Sequence, residues 1–222
     1  MHANMNFKEL QQQLAQTNTR LIAVSKTKPN EQIMELYELG QRDFGENRVQ
    51  EMADKYEALP KDIRWHFIGH LQTNKVKYMA DFVHLVHSVD RQKVLKEINK
   101  RAKQSGRVIG CLLQFHIAEE ESKFGFDLPE AKAMLEGAAF QNFEHVRICG
   151  VMGMATFTDD QDKVRREFQA LHRIFDTLRE AYFSDQPHFK EISMGMSGDY
   201  PLAQEEGSTM VRIGSLLFGP RN

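Results

Sequence analysis

Lys26 closes the apolar run Leu21–Val24 in "LIAVSKTKP", with Lys28 two residues on and Pro29 ending the stretch. A half-exposed strand alternates apolar and polar side chains, whereas continuous "LIAV" is the pattern of a strand covered on both faces. Lys26 therefore stands at the mouth of something buried. A lysine partly withdrawn from water loses some of its preference for the charged form, leaving a nucleophilic amine that condenses with aldehydes and ketones. A lysine that only extends its ammonium to solvent from a strand end gives the same local pattern. Lys28 abuts Pro29 and a turn, which makes it the poorer nucleophile.

A second group of chemically suggestive residues lies at the other end of the chain. "RIGSLLFG" places Gly214 and Ser215 after an apolar strand and at the start of a short apolar helix, where backbone N–H groups and a hydroxyl can hold a phosphate. "SMGMSGD" adds Ser193, Gly195, Ser197 and Gly198, although its glycines can equally serve turns and Asp199 can cap the helix of "YPLAQEEG". Asp199 also argues against phosphate at that helix start, so Gly214–Ser215 is the better cradle. Arg212 lies within the last strand and, if buried, needs a structural carboxylate, a ring nitrogen or an anionic ligand. A reactive lysine, a phosphate cradle and a fixed cation together suit a phosphorylated aldehyde.

Other constellations are weaker. His66 and His70 are four apart, which on a strand is roughly 13 Å and too far to share a metal. In "HSVD", His87 and Ser88 point to opposite faces of a strand, so a triad with Asp90 is disfavoured, and Ser88 or Asp90 suits a helix cap. The run Glu119–Ser122 suits a solvated loop, and Met152 and Met154 could line a pocket.

The elements that must position these residues alternate along the chain. Apolar, β-rich runs occur at Leu21–Ser25, Asp43–Gly45, Trp65–Gly69, Phe82–His87, Val108–Ile117, Val146–Met154, Glu191–Met194 and Met210–Ile213. Helical patterns separate most of them, several ending in glycine at Gly40, Gly106 and Gly207, and Phe7–Thr17 forms a further helix ahead of the first strand. Eight such units predict a closed (β/α)8 barrel, with chemistry at the C-terminal ends of the strands. The alternative, an open doubly wound sheet, lacks its usual G-x-G-x-x-G. In a closed barrel the first and last strands are neighbours, so Lys26 and Arg212 would meet.

The 222 residues suffice for one domain spanning 1–222, and a net charge of -2 gives no reason to expect nucleic acid or an anionic membrane surface. No run approaches ~18 apolar residues, and the N-terminal stretch lacks the apolar core of a secretory signal. Cys111 and Cys149 both lie in apolar runs, which predicts buried, reduced thiols and a cytoplasmic location.

Taken together, "AVSKTKP", "FGENRVQE", "WHFIGHLQTNK", "HSVD", "SKFGF", "GVMGMAT", "SMGMSGDY" and "GSTMVRIGSLLFG" resemble the pyridoxal phosphate homeostasis proteins, in order and over roughly residues 21–221. The resemblance implies a single TIM barrel like the N-terminal domain of alanine racemase, binding pyridoxal 5′-phosphate (PLP). It implies that Lys26 is the Schiff-base lysine, that Ser197, Gly214 and Ser215 lie near the phosphate, that Arg212 faces the pyridine nitrogen, and that Asn47 lies beside the cofactor. Ser215 stands where the family pattern commonly has threonine, which keeps the hydroxyl. Phe115 and His116 depart from that pattern, so no polar contact is carried over from the fifth strand.

The implied role is buffering or delivery of PLP, with PLP-dependent apo-enzymes or B6-salvage enzymes as exchange partners and no catalytic residue. An amino-acid racemase is the alternative, although racemisation needs acid/base groups on both faces of Cα and Lys26 supplies one. The family's racemase relatives take the opposite base from a separate C-terminal domain. This chain ends soon after "LLFG", which leads to the expectation of a monomer without that domain. An aldolase-type barrel acting on a phosphosugar is a third reading, disfavoured by the resemblance.

Overall fold

The computed structural model describes residues 2–119 and 124–219. Strands β1 (Arg20–Val24), β2 (Asp43–Glu46), β3 (Arg64–Phe67), β4 (Leu85–Val89), β5 (Ile109–Phe115), β6 (Val146–Gly153), β7 (Glu191–Ser193) and β8 (Met210–Ile213) pair in parallel and in chain order as a closed barrel. The predicted runs mark each strand, with edges one or two residues long or short. β4 is the exception: the predicted run opens at Phe82, but Phe82 and Val83 close a turn by donating to Met79, and pairing begins at Leu85.

Helices α1 (His2–Ala15), α2 (Asn30–Glu38), α3 (Val49–Ala58), α4 (Gln92–Gln104), α5 (Leu128–Glu136), α6 (Ala138–Gln141), α7 (Gln161–Tyr182), α8 (Tyr200–Glu205) and α9 (Ser215–Phe218) surround the barrel. Between β3 and β4 the connection is a 3₁₀ turn, Thr73–Tyr78. The stretch "LPEAKAMLEGAAF", whose pattern reads as one helix, forms two, because Gly137 is extended (φ -70, ψ 139) and separates α5 from α6. Gly40, Gly106 and Gly207 do follow their helices with positive φ. Neither Ser88 nor Asp90 caps α4. Asp90 instead pairs with His70 and Arg91, and Ser88 Oγ is buried without a partner. Among the described residues no helix is long and apolar enough to cross a membrane. Cys111 is buried as expected, but Cys149 is only half-buried: it packs against the apolar group inside the barrel, with Sγ 3.4 Å from the Arg147 carbonyl oxygen.

Amphipathic helices close the outside of the barrel. α7, for example, buries Val164, Phe168, Leu171, Phe175 and Leu178, spaced three or four apart so that one stripe faces the sheet. Each such side chain withdrawn from water contributes about 1.5–3 kcal/mol. The barrel interior is a separate, smaller apolar group of Ile22, Leu85, Leu112, Met152 and Met210. Buried polar side chains share the interior: His66, His87 and Ser193 have no exposed surface, and Arg212 has 4%.

α3 docks by charge as well as by apolar contact. Lys55 is buried and directs its ammonium at Glu46 Oε1 (2.7 Å), Glu51 Oε1 (2.7 Å) and the Ser25 carbonyl (2.8 Å). These acceptors take all three donors that an ammonium has. Ser25 Oγ also donates to Glu46 Oε1 at 2.6 Å. The end of β1 is thus tied to β2 and α3 immediately before Lys26.

Two predictions follow from this packing. Lys55→Met leaves the Glu46 carboxylate buried without its cation and is expected to cost about 3 kcal/mol. Adding Glu46→Gln should recover part of that loss, and urea unfolding of both variants measures it; equal midpoints for the single and double variants would contradict the ion pair. At the base of the barrel, desolvation and the neighbouring His66 push the His84 imidazole down to about 4. Since the unfolded value is about 6.5, the unfolded chain binds the extra proton first as pH falls between these values. Stability should therefore drop from neutral pH toward pH 4. His84→Asn should make the drop shallower, and an unaltered pH slope would contradict this account.

Candidate functional site

A cavity of about 830 Å³ opens at the C-terminal end of the barrel, and its wall includes Lys26, Asn47, Ser197, Arg212, Gly214 and Ser215. All the residues expected to hold a cofactor therefore face one space. Closure of the sheet accounts for this, since Ile22 pairs with Arg212 and Ala23 with Ile213 across the β1–β8 seam. Gly214 continues the seam. A Cβ there would lie 3.2 Å from the Val24 carbonyl oxygen, so the absence of a side chain lets the β8 loop approach the end of β1 closely.

The loop carrying Lys26 is held on both sides. Ser25 is fixed by Lys55 and Glu46, and the Thr27 N–H donates to Glu51 Oε1 at 2.5 Å. Thr27 has φ 63, a left-handed conformation that costs a β-branched residue energy and that the Glu51 carboxylate helps to hold. Lys28 points away from a nucleophile's role: its ammonium donates to the Phe218 carbonyl (3.0 Å), at the C-terminal end of α9. Asn47 is placed by Gly69, since a Cβ on Gly69 would come within 2.2 Å of the Asn47 carbonyl oxygen.

Beside the end of β1, the Gly214 N–H donates to Ser197 Oγ (3.4 Å), linking the β7 and β8 loops. The first N–H groups of α9, at Ser215 and Leu216, have no acceptor within a helix that starts there. Asp199 occupies the N-cap position of α8 but does not cap it. Its carboxylate accepts from the Met196 N–H at 2.5 Å, and burial raises its pKa above the ordinary range. Ser193 and Gly195 do not line the cavity. Ser193 lies beneath it, while Gly195 (φ 93) packs tightly on Ala203. Of the two methionines singled out, Met154 lines the cavity and Met152 fills the barrel interior.

Arg212 is fixed from below. Nη1 donates to the Ser193 carbonyl (2.8 Å) and Ser193 Oγ (2.6 Å), and Nη2 to the Gly153 carbonyl (3.1 Å). Burial lowers its pKa to about 10, partly offset by Asp199, so the guanidinium remains a cation at neutral pH.

Sequence spacing did not single out Asp43, Glu51, Lys55 or Gln114, or the pairing of His70 with Asp90. Gln114 and His70 line the cavity, and His70 stacks on Phe124 with ring centroids 4.0 Å apart. The i, i+4 spacing of Glu51 and Lys55 was the one available signal for their pairing. Ligand-type atoms of Asp43, His66 and His84 lie within 4.8 Å of one another. Both Asp43 oxygens nevertheless accept from Arg64, and Oδ1 also from His66, so a cation would have to displace the arginine. Of the acidic run Glu119–Ser122, all but Glu119 lies outside the described residues.

The donor set of the cavity fits pyridoxal phosphate: an amine for an aldehyde, N–H and hydroxyl groups for a phosphate, and a permanent cation for a ring nitrogen. The family model described as "Alanine racemase, N-terminal domain" matches residues 2–222. A pyridoxal phosphate homeostasis protein of Aquifex aeolicus is 43% identical over 203 residues, covering 91% of this chain and 87% of its own. One of Escherichia coli is 35% identical over 209 residues, covering 91% and 86%. Among solved structures, PipY of Synechococcus elongatus with PLP bound superposes with a TM-score of 0.86 at 34% identity, covering 99% of this chain and all (100%) of that one. An alanine racemase of Clostridium difficile shares the fold alone (TM-score 0.76, 14% identity, 99% of this chain and 56% of that chain). With the family model spanning the chain and homeostasis proteins 43% and 35% identical over nine-tenths of it, the chain belongs to the pyridoxal phosphate homeostasis protein family.

Proposed function

We propose that this chain binds PLP covalently at Lys26 and takes part in PLP homeostasis by holding and releasing the cofactor, without turning over a substrate. The observation that carries this reading is the convergence of Lys26, Arg212 and the Gly214–Ser215 loop on one cavity across the β1–β8 seam. Lys26 would hold the cofactor through its aldehyde carbon, the carbonyl oxygen being released as water. Ser197, Ser215 and the first N–H groups of α9 would receive the phosphate, and Asn47 would stand beside the ring.

Bound PLP supplies an electron sink whose strength depends on protonation of its ring nitrogen. Arg212 donates hydrogen bonds and retains its own protons, so a nitrogen facing it stays unprotonated and the sink is weak. Such a site suits retention of the cofactor better than extensive carbanion chemistry. Racemisation would also need an acid/base group opposite Lys26. Release to PLP-dependent apo-enzymes or B6-salvage enzymes, by a monomer in the cytoplasm, completes the proposal.

Borohydride reduction of the PLP-incubated chain, followed by peptide mass mapping, should find a pyridoxyl group on Lys26. Lys26→Ala should abolish that label, while Lys28→Ala retains it. The same preparations should exchange α-deuterium from alanine no faster than free PLP does. Label elsewhere, or none, would overturn the assignment of Lys26, and rapid exchange would restore the racemase reading.

A further inference from the structure

Beneath the cavity, side chains from β8, β7, β4, β3 and β2 form a continuous line of hydrogen bonds through the barrel. Arg212 Nη1 lies 2.6 Å from Ser193 Oγ, which is 2.8 Å from His87 Nδ1; His87 Nε2 is 2.9 Å from His66 Nδ1, and His66 Nε2 is 2.9 Å from Asp43 Oδ1. None of the five residues is more than 5% exposed.

Donor and acceptor chemistry allows one direction along this line when both imidazoles are neutral. The Asp43 carboxylate only accepts and the guanidinium only donates, so with one proton on each imidazole the line must run from Arg212 to Asp43: Ser193 Oγ accepts from Arg212 and gives its single hydrogen to His87 Nδ1. His87 must then carry its proton on Nε2 and donate to His66 Nδ1. His66 likewise carries its proton on Nε2 and donates to Asp43. Burial pushes both imidazoles below their ordinary range, which keeps each at one proton. Asp43 stays ionised: burial alone would raise its pKa, but the hydrogen bonds from Arg64 (2.7 and 2.6 Å) and His66 outweigh it.

We propose that Ser193, His87, His66 and Asp43 are positioning residues for the cofactor ring, forming a one-way chain that orients Arg212 from the base of the barrel. This inference rests on the placement of the PLP ring nitrogen against Arg212. Nη1 spends both hydrogens on Ser193, and Nη2 gives one to Gly153, so Nε and the second Nη2 hydrogen are the donors left for the cavity. Asp43 is itself paired with Arg64, so it anchors the far end of the line, while the neutral groups of Ser193 and Gly153 hold Arg212 without occupying those remaining donors.

Histidine side-chain ¹⁵N NMR of the ligand-free chain at neutral pH tests the line without any substitution. Both His66 and His87 should be neutral Nε2–H tautomers with unprotonated Nδ1. An imidazolium or an Nδ1–H tautomer at either residue would overturn the chain. Ser193→Ala should then weaken PLP binding about tenfold and shift the absorption band of the loaded protein. Ser193→Thr, which keeps the hydroxyl, should restore both. Unaltered affinity and absorption in Ser193→Ala, with Lys26 still labelled by reduction, would overturn the positioning role alone. Absence of label on Lys26 in the unsubstituted chain would instead remove the cofactor reading on which that role rests.

Discussion

The register of Ile22 with Arg212 and of Ala23 with Ile213 closes the sheet and places residues from the two ends of the chain side by side. Every other feature of the site depends on that seam. Lys26 follows β1, Gly214 and Ser215 follow β8, and neither loop alone offers both an amine and an anion cradle. Parallel strands joined in order make all eight C-terminal ends open on the same rim, so the β2 loop with Asn47 and the β7 loop with Ser197 enter the same space.

The seam fixes neighbours, and buried polar contacts fix side chains. Outside the barrel, Lys55 and Glu51 of α3 hold the backbone before and after Lys26. Inside it, Ser193 and Gly153 hold Arg212. Two side chains are thereby kept near one cavity by different devices: a paired carboxylate cluster under the lysine loop, and neutral acceptors under the arginine. Burying ions is costly, and an apolar replacement could be as stable. The polar interior is understandable where a guanidinium must be kept charged and its direction kept fixed.

Much of this was legible in the sequence because parallel barrel strands are covered on both faces, and continuous runs such as "LIAV" mark them directly. The rim residues followed from the strand ends. The line from Asp43 to Arg212 was not legible, because its members come from five strands and meet only when the barrel closes. His66 was weighed against His70, four residues away, yet it bonds to His87 and Asp43, which lie 21 and 23 residues away. Local rules also failed where tertiary partners won. Asp90 suits a cap but pairs with His70 and Arg91, and Asp199 turns back to Met196. Helix α5 ended early because Gly137 adopts an extended conformation inside an otherwise helical pattern.

The central claim is that a protonated Arg212 faces the cofactor's ring nitrogen and keeps it unprotonated. The most direct test is ¹⁵N NMR of the chain loaded with PLP labelled at the pyridine nitrogen. The account predicts the chemical shift of a neutral, hydrogen-bonded pyridine, unchanged across the neutral pH range. A pyridinium shift would contradict it, because the nitrogen would then face an acceptor and Arg212 would not be its partner.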